Sequence, residues 1–163
     1  WLNQQYLKSD APEDVAKHLI WQLEQAGYDL SRGPAPVDIV IALRDRVQTL
    51  KEMAEKAAVW FVPLADYDAA AVAKHLTDAA CAPLTEARGK LAALPKWNAD
   101  ASGEALRAAA EGLVIGMGKV SRPMRVGITG SQVSPDISHT VYLAGREEAL
   151  KRIDAALALI PPA

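Results

Sequence analysis

The sequence predicts an all-α protein built from two packed helical subdomains. Half of its 163 residues are hydrophobic, but only one is phenylalanine and 6% are aromatic. Alanine and leucine favour helices, whereas strands are enriched in aromatic and β-branched residues. Apolar residues recur every three or four positions along most of the chain, as expected for helices that bury one face. A proline and a polar stretch near Asp66 place the expected boundary between residues 1–66 and 67–163.

Composition excludes several classes of protein. The net charge of −2 argues against a non-specific nucleic-acid binder, since such proteins are usually basic. No apolar run approaches the length of about 18 residues that a membrane-spanning helix needs, so no membrane association is expected. The single cysteine, Cys81, cannot form an internal disulfide and fits a reducing compartment such as the cytoplasm. The chain starts without Met or a signal pattern, which predicts an internal cut in a longer protein.

The first subdomain is expected to open with an amphipathic helix. Asp10 can cap this helix with Glu13 as its reciprocal partner, and Gly27 is expected to end it. Its apolar face is formed by Val15, Leu19, Leu23 and Ala26.

An arginine interrupts the next apolar period. One face of an unbroken helix would carry Ile39, Leu43, Val47, Leu50, Ala54 and Ala57, but Arg46 would lie on that same face. Burying an unpaired guanidinium is costly. Asp45 and Gln48 have the spacing of a capping box. We therefore expect one helix to end near Arg44 and another to begin at Asp45, with Arg46 exposed at the break.

Three helices are expected in the first part of the second subdomain. Pro83 is expected to open the second of them, because proline is favoured in a first turn, and Pro95 to close it. Asn98 can cap the third, which is expected to end at the glycines at 116 and 118. The first helix carries Val72, Leu76 and Ala80 on one face.

The segment that follows has two interpretations. Residues 125–129 are β-branched and alternating, which is typical of a short strand, but a lone strand without a partner is unstable. A helix that starts at Pro123 is the better interpretation. Ser134 and Pro135 are expected to open a short helix. The last helix is expected to carry two surface ion pairs, Glu147–Lys151 and Glu148–Arg152.

No catalytic motif is present in the sequence. The three histidines and Cys81 do not have the spacing of metal ligands, and His75 is interpreted as a surface or boundary residue. The sequence has no glycine-rich phosphate loop and no nucleophile elbow. We expect this chain to have no cofactor, no metal and no activity of its own.

One short segment is basic. Lys119, Arg122 and Arg125 fall within seven residues that contain no acid. Such a cluster is more often a solvated face than a phosphate site. Residues 44–52 also contain arginines. In both segments the arginines are expected at a helix start or break, where their N–H donors can converge on the acceptor atoms of a ligand.

Four motifs, in this order, resemble the C-terminal half of bacterial glutamyl-tRNA synthetases. They are R-x-x-T-L-x-E (Arg46–Glu52), P-x-R-x-x-x-T-G (Pro123–Gly130), Ser134-Pro135 and L-x-G-x-E-x-A-L-x-R-I (Leu143–Ile153). The resemblance implies an all-helical anticodon-binding region made of two subdomains, with tRNA-Glu as its partner, in a monomeric cytoplasmic enzyme. It also implies the reaction of the parent enzyme, in which ATP and magnesium serve the ligation of glutamate to tRNA. The family's H-x-G-H and K-M-S-K-S catalytic motifs are absent from this sequence, so the fragment is expected to be inactive alone.

The resemblance assigns Arg46 to the third anticodon letter. A guanidinium only donates hydrogen bonds, and cytosine offers the acceptors O2 and N3, whereas guanine offers mainly donors on that edge. Glutamate anticodons end in C and glutamine anticodons end in G, so an arginine would favour glutamate tRNA. The alternative is a salt bridge from Arg46 to Asp38, Asp45 or Glu52. For the whole chain, the alternative function is a helical protein–protein interaction module without RNA binding.

The resemblance also assigns residues of the second subdomain to the anticodon. Arg125 corresponds to another base-reading arginine. Ser134, Pro135 and Ile137 correspond to the segment that contacts the first two letters, where relatives have Thr in place of Ser134 and Leu in place of Ile137. Phosphate contacts, which carry no sequence information, are expected for Lys119 and Arg122.

Overall fold

A computed structural model describes residues 9–31, 33–62, 64 and 66–161. Within these residues the structure has nine complete helices and no strand, so the all-α prediction is confirmed. The chain divides into two compact units, Trp1–Pro63 and Leu64–Ala163. The boundary expected from the sequence, between residues 66 and 67, lies close to this division.

The first unit contains α1 (Pro12–Gln25), α2 (Pro36–Leu43) and α3 (Leu50–Phe61). α1 packs against both of the other helices. Its apolar period is confirmed at Val15, Leu19 and Leu23, which are fully buried, but not at Ala26, which follows the helix and is exposed. The predicted end is also confirmed, since Gly27 follows the helix with a φ of +85°.

The predicted cap of α1 is wrong. The residue before the helix is Ala11, and no side chain caps the first turn. The helix begins at Pro12, because proline has the φ of a helix and no N–H that would need a partner in the first turn. Asp10 contributes its backbone carbonyl oxygen instead, which accepts a hydrogen bond from Nη2 of Arg44.

The break between α2 and α3 is confirmed, but its cap is not Asp45. α2 ends at Leu43, and the chain turns through residues 44–49 before α3 begins. Thr49 caps α3, since its hydroxyl oxygen accepts a 3.1 Å hydrogen bond from the backbone N–H of Glu52. The Glu52 carboxylate reaches back to the backbone N–H of Gln48 at 3.4 Å. The cap is therefore four residues later than predicted, where Thr49 has the extended backbone that a cap requires.

The second unit contains six helices among its described residues. They are α4 (Ala69–His75), α5 (Asp78–Ala92), α6 (Ala99–Leu113), α7 (Gly118–Thr129), α8 (Ile137–Ala144) and α9 (Arg146–Leu159). α7 contacts each of the other five. Val120, Met124, Val126 and Ile128 of α7 are fully excluded from solvent. This central position explains why residues 125–129 are helical despite their strand-like composition, since the burial of their β-branched side chains outweighs local preference.

Two prolines lie inside helices and do not start them as predicted. Pro83 lies in α5, which begins at Asp78, and Pro123 lies in α7, which begins at Gly118. Each proline removes a backbone hydrogen bond. Both are buried, so the packing of the helix face offsets this loss.

Side-chain caps in the second unit are partly as predicted. Asn98 caps α6, because its Oδ1 accepts a 2.7 Å hydrogen bond from the N–H of Ala101. α6 ends at Leu113, before the predicted glycines, and the residue after it, Val114, has a φ of +56°. Ser134 does not cap α8. The cap is Asp136, whose carboxylate accepts from the N–H of Ser138 at 3.2 Å.

Candidate nucleic-acid interface

Arg46 lies in the exposed turn between α2 and α3. Its backbone N–H donates a 2.8 Å hydrogen bond to the carbonyl oxygen of Leu43. None of the ion pairs between described residues includes Arg46, so the salt bridge considered as an alternative is not formed there. The guanidinium therefore projects from a helix break, as the sequence predicts.

Neighbouring side chains hold this turn in place. Val47, directly after Arg46, is 1% exposed and inserts into the core of the first unit. Arg44, directly before it, binds the backbone of Asp10. The turn is thus attached on both sides of Arg46, which limits how far the backbone of this residue can move.

In the second unit, α7 presents two arginines on one side. Arg122 is exposed and Arg125 is half-buried, and residues three apart lie on the same face of a helix. The other side of α7 is packed closely, because a Cβ atom at Gly127 would lie only 3.1 Å from the Cβ atom of Ala156 in α9. Packing behind the helix therefore fixes the backbone from which the arginines project.

The buried guanidinium of Arg152 binds the C-terminal end of α7. Arg152 is 4% exposed, and its Nη1 donates a 2.8 Å hydrogen bond to the carbonyl oxygen of Ile128. Its Nε donates to the Glu148 carboxylate at 2.9 Å. A cation at this position also opposes the negative end of the helix dipole. Burial raises the pKa of nearby Tyr67, and the charge of Arg152 partly counteracts that rise.

Arg125 is bonded to the loop that precedes α8. Its Nε donates a 2.6 Å hydrogen bond to Oγ of Ser134. Ser134 in turn donates to the carbonyl oxygen of Pro135 at 2.8 Å. The fully buried Thr140 places its Oγ1 3.1 Å from Ser134 Oγ and 3.0 Å from the Pro135 carbonyl oxygen. The Ser134 hydroxyl is therefore held in one orientation and orients the guanidinium of Arg125.

A tight turn connects α7 to this loop. Gly130 has a φ of +74°, and a Cβ atom there would lie 2.7 Å from the carbonyl oxygen of Asp66. Only glycine allows this close approach. The hydroxyl of Thr129 lies 2.7 Å from the carbonyl oxygen of Arg125 and 3.0 Å from that of Ser131. The turn thereby directs residues 131–134 back over the face of α7 that carries Arg125.

A basic pocket of about 330 Å³ lies on this face of the second unit. Among the described residues that line it, none carries a carboxylate and three are lysine or arginine. The lining residues are Lys74, His75, Arg122, Arg125 and Gln132. The chain as a whole has a net charge of −2, so positive charge is concentrated in this pocket. The pocket suits an anionic ligand with several acceptor oxygens.

The other predicted site residues lie near this pocket in sequence but do not line it. Pro135 is buried, and Ile137 is 7% exposed and belongs to the hydrophobic core. Lys119 is exposed in the first turn of α7. The structure of the second unit therefore brings together Arg122, Arg125 and Ser134.

Three pocket residues were not predicted from the sequence. Lys74 and His75 end α4, and Gln132 lies in the turn after α7. The Nε2 atom of His75 lies 3.2 Å from Oε1 of Gln132. The interpretation of His75 as a surface or boundary residue agrees with its partial burial. Its position in a basic pocket was not predicted from the sequence. Only packing across 57 residues of sequence places it there.

The described part of the chain shows neither a metal centre nor a membrane-spanning helix. No group of three or more His, Cys, Asp or Glu side chains in these ranges could hold a metal ion. Among the same residues, no helix has the length and apolar character needed to cross a membrane.

A family model described as an anticodon binding domain matches residues 13–157. The chain belongs to the anticodon-binding domain family. The match includes both units and every candidate site residue named above.

Relatives of this anticodon-binding domain are named as glutamate–tRNA ligases. The protein from Xylella fastidiosa is 61% identical over 163 residues, which are all of this chain and 35% of the relative. The one from Stenotrophomonas maltophilia is 59% identical over the same length and share. The one from Xanthomonas oryzae is 61% identical over 160 residues, 98% of this chain and 34% of the relative. The chain thus spans about a third of the length of the relatives that it matches. No comparison supports a protein–protein interaction module.

Two solved structures share the fold of this anticodon-binding domain. The glutamate tRNA ligase of Elizabethkingia meningosepticum, solved in complex with its amino acid, has a TM-score of 0.84 and 23% identity. It covers 96% of this chain, which corresponds to 31% of that structure. The enzyme of Elizabethkingia anophelis has a TM-score of 0.79 and 25% identity, covering 96% of this chain and 30% of the other.

Proposed function

We propose that this chain recognises the anticodon of glutamate tRNA as part of a glutamate–tRNA ligase. The relatives with that name match the chain over its full length. The chain has neither of the catalytic motifs expected for the ligation step, so we assign tRNA recognition to it and not catalysis. ATP and magnesium would act outside these residues. The chain would work as a monomer in the cytoplasm.

The exposed position of Arg46 carries this proposal. RNA recognition by sequence targets unstacked loop bases through their Watson–Crick edges. The Arg46 side chain projects from a fixed turn without an ion pair to a described residue. It can therefore direct its donors at the O2 and N3 acceptors of a cytosine. If a guanine stood in that place, its N–H donors would face those of Arg46, and both sets of donors would be left without acceptors.

The pocket of the second unit supports the same function. Arg125, oriented by Ser134, supplies donors for an anticodon base. Arg122 lies in the same pocket and suits the phosphates between the bases. Lys119, which is exposed one helical turn before Arg122, suits the same role. Pro135 and Ile137 are buried below this loop. We therefore propose that they determine the shape of the loop and make little direct contact with the RNA.

The test is the preference of the chain between two RNA stem-loops. One carries the glutamate anticodon, and the other differs only by G in place of C at the last letter. We expect Arg46→Ala to remove most of the preference, which we set at about 1–3 kcal/mol by analogy with base readout in duplexes. Fluorescence anisotropy with each labelled stem-loop measures both dissociation constants.

Arg107→Ala is the matched control, because Arg107 is also an exposed arginine and lies outside the proposed site. This variant should keep the preference of the parent chain. If Arg46→Ala discriminates between the stem-loops as well as the parent does, Arg46 does not read the last letter. If the parent itself shows no preference, the assignment of the whole chain to glutamate tRNA is wrong.

A further inference from the structure

The basic pocket is built from three separate parts of the second unit. α4 supplies Lys74 and His75 from its last turn, and α7 supplies Arg122 and Arg125. The turn after α7 supplies Gln132. The family motifs include Arg125, and Arg122 is already expected to contact phosphates, but the other three residues have no role so far.

The contact between His75 and Gln132 indicates how the pocket is arranged. Nε2 of His75 lies 3.2 Å from Oε1 of Gln132, an oxygen that accepts a hydrogen bond when the His75 tautomer carries its hydrogen on Nε2. The amide nitrogen of Gln132 then keeps two hydrogens to donate. No described residue accepts them. The pocket thus combines a neutral amide donor with the charges of Lys74 and Arg122.

These donors define the chemistry of the ligand. Ammonium, guanidinium and amide groups all donate and do not accept in this arrangement, which matches a phosphate group with its unprotonated oxygens. The volume of about 330 Å³ is at the lower end of the range of about 300–1,000 Å³ for small-ligand sites. Such a space holds one nucleotide unit and excludes a folded protein surface.

We infer that Lys74, His75 and Gln132 form, together with Arg122, a subsite for one backbone phosphate of the bound RNA. This inference rests on the proposed function and extends it to residues outside the family motifs. Lys74 supplies charge, and His75 orients the amide of Gln132. Phosphate contacts fix the position of an RNA without reading its sequence. The subsite therefore places the loop so that Arg125 meets the bases.

A structural role for the same residues gives a different expectation. Basic residues in a last turn stabilise the helix dipole, and α4 has Lys74 and His75 there. In that case their replacement would change the thermal stability of the chain and leave RNA binding unaffected. That role also gives no reason for the position of Gln132.

The experiment measures the salt dependence of binding for Lys74→Gln and Gln132→Glu. The probe is the glutamate anticodon stem-loop, titrated with the 163-residue chain at several salt concentrations between about 50 and 200 mM. We expect Lys74→Gln to weaken binding about three- to tenfold at the lowest salt. The slope of log K against log salt should become shallower by about 0.7, the value for one phosphate contact in a single strand. Gln132→Glu, which keeps the size of the side chain and adds a negative charge, should weaken binding by at least as much.

Both variants should weaken the two stem-loops alike, because a phosphate contact carries no sequence information. Lys96→Gln is the matched control, since Lys96 is an exposed lysine outside the pocket, and it should change neither affinity nor slope. Thermal unfolding of each variant shows that it is folded. If Lys74→Gln and Gln132→Glu bind like the parent while Arg46→Ala still loses its preference, the phosphate subsite is wrong and the proposed function stands. If the parent shows no salt-dependent binding, both are overturned.

Discussion

Nε of Arg125 donates a 2.6 Å hydrogen bond to Oγ of Ser134, and this contact joins α7 to the loop before α8. The hydroxyl is itself fixed by the carbonyl oxygen of Pro135 and by the buried Thr140. A flexible arginine loses entropy when it is ordered on a ligand. Because Ser134 already orients the guanidinium, part of that loss occurs before RNA binds.

We predict that Ser134→Ala weakens binding of the glutamate stem-loop about tenfold, or about 1.4 kcal/mol. The alanine removes the acceptor of Nε and leaves the guanidinium without this restraint. Ser134→Thr keeps the hydroxyl and should bind like the parent. Anisotropy titrations with stem-loops altered in the first two anticodon letters provide the measurement. Unchanged affinity and preference in the alanine variant would show that this hydrogen bond does not position Arg125.

Asp136 is predicted to make stability depend on pH. The hydroxyl of Ser138 donates to its carboxylate and holds the pKa of Asp136 below its usual range, although partial burial acts in the opposite direction. A carboxyl whose pKa is lowered by folding stabilises the protein above its unfolded pKa, and this contribution is lost as the pH falls through the folded value. Asp136→Ala should lower the free energy of unfolding at pH 7 by about 1 kcal/mol, because the cap of α8 is lost.

Asp136→Asn separates the cap from the charge. Asparagine also caps helices but does not titrate. We expect this variant to keep most of the stability at pH 7 and to lose less than the parent below about pH 4. Urea unfolding at a series of pH values measures both effects. Identical pH profiles for parent and Asn variant would contradict the lowered pKa.

Val114 is predicted to be a site where glycine stabilises the protein. It directly follows α6 with a φ of +56° and is 90% exposed, so its β-branched side chain is strained and gains little from burial. Val114→Gly should raise the free energy of unfolding by about 1 kcal/mol, after the greater entropy of glycine in the unfolded chain is included. Val133→Gly is the control, since Val133 is 70% exposed without a positive φ, and it should not be stabilised. Equal effects in both variants would exclude backbone strain at Val114.

Gly33 is predicted to tolerate no side chain. A Cβ atom there would overlap the ring of Phe61, which stacks on Tyr28 with ring centroids 5.5 Å apart. Gly33→Ala should therefore destabilise the first unit by about 1–3 kcal/mol. Gly89→Ala, in the last turn of α5 where a Cβ atom would meet nothing within 4 Å, should instead be stabilising by about 0.5–1 kcal/mol. Chemical denaturation of the two variants gives opposite shifts if the contact with Phe61 matters.

The sequence predicted the helices better than their ends. Apolar periodicity identifies buried faces because every turn of a helix repeats it. A cap depends on one residue, and several candidates compete within a few positions, as with Asp45 and Thr49 or Ser134 and Asp136. The backbone conformation decides between them, and it is set by packing that a local pattern does not contain. For the same reason Pro83 and Pro123 were placed at helix starts, although their surroundings allow them inside.

Residues of the candidate site could be predicted where a local sequence pattern or a family motif is enough to identify them. The exposed position of Arg46 could be predicted because its charge conflicts with the apolar face of an unbroken helix. The i,i+4 spacing of Glu148 and Arg152 predicted their ion pair, which is formed at 2.9 Å, but not the burial of Arg152. Lys74 and Gln132 could not be assigned, because only the packing of α4 against α7 brings them together. The proposed roles of the site residues stay predictions until RNA binding is measured.

The near contact of Gly127 with Ala156 has a consequence for how anticodon preference can change. Because a Cβ atom at Gly127 would lie only 3.1 Å from the Cβ atom of Ala156, a bulkier residue at either position would shift α7 and move Arg122 and Arg125 with it. Under the proposed function, recognition can therefore be altered from the interior, by residues that do not contact a nucleotide. A search for altered specificity that is confined to the RNA-facing surface would overlook them.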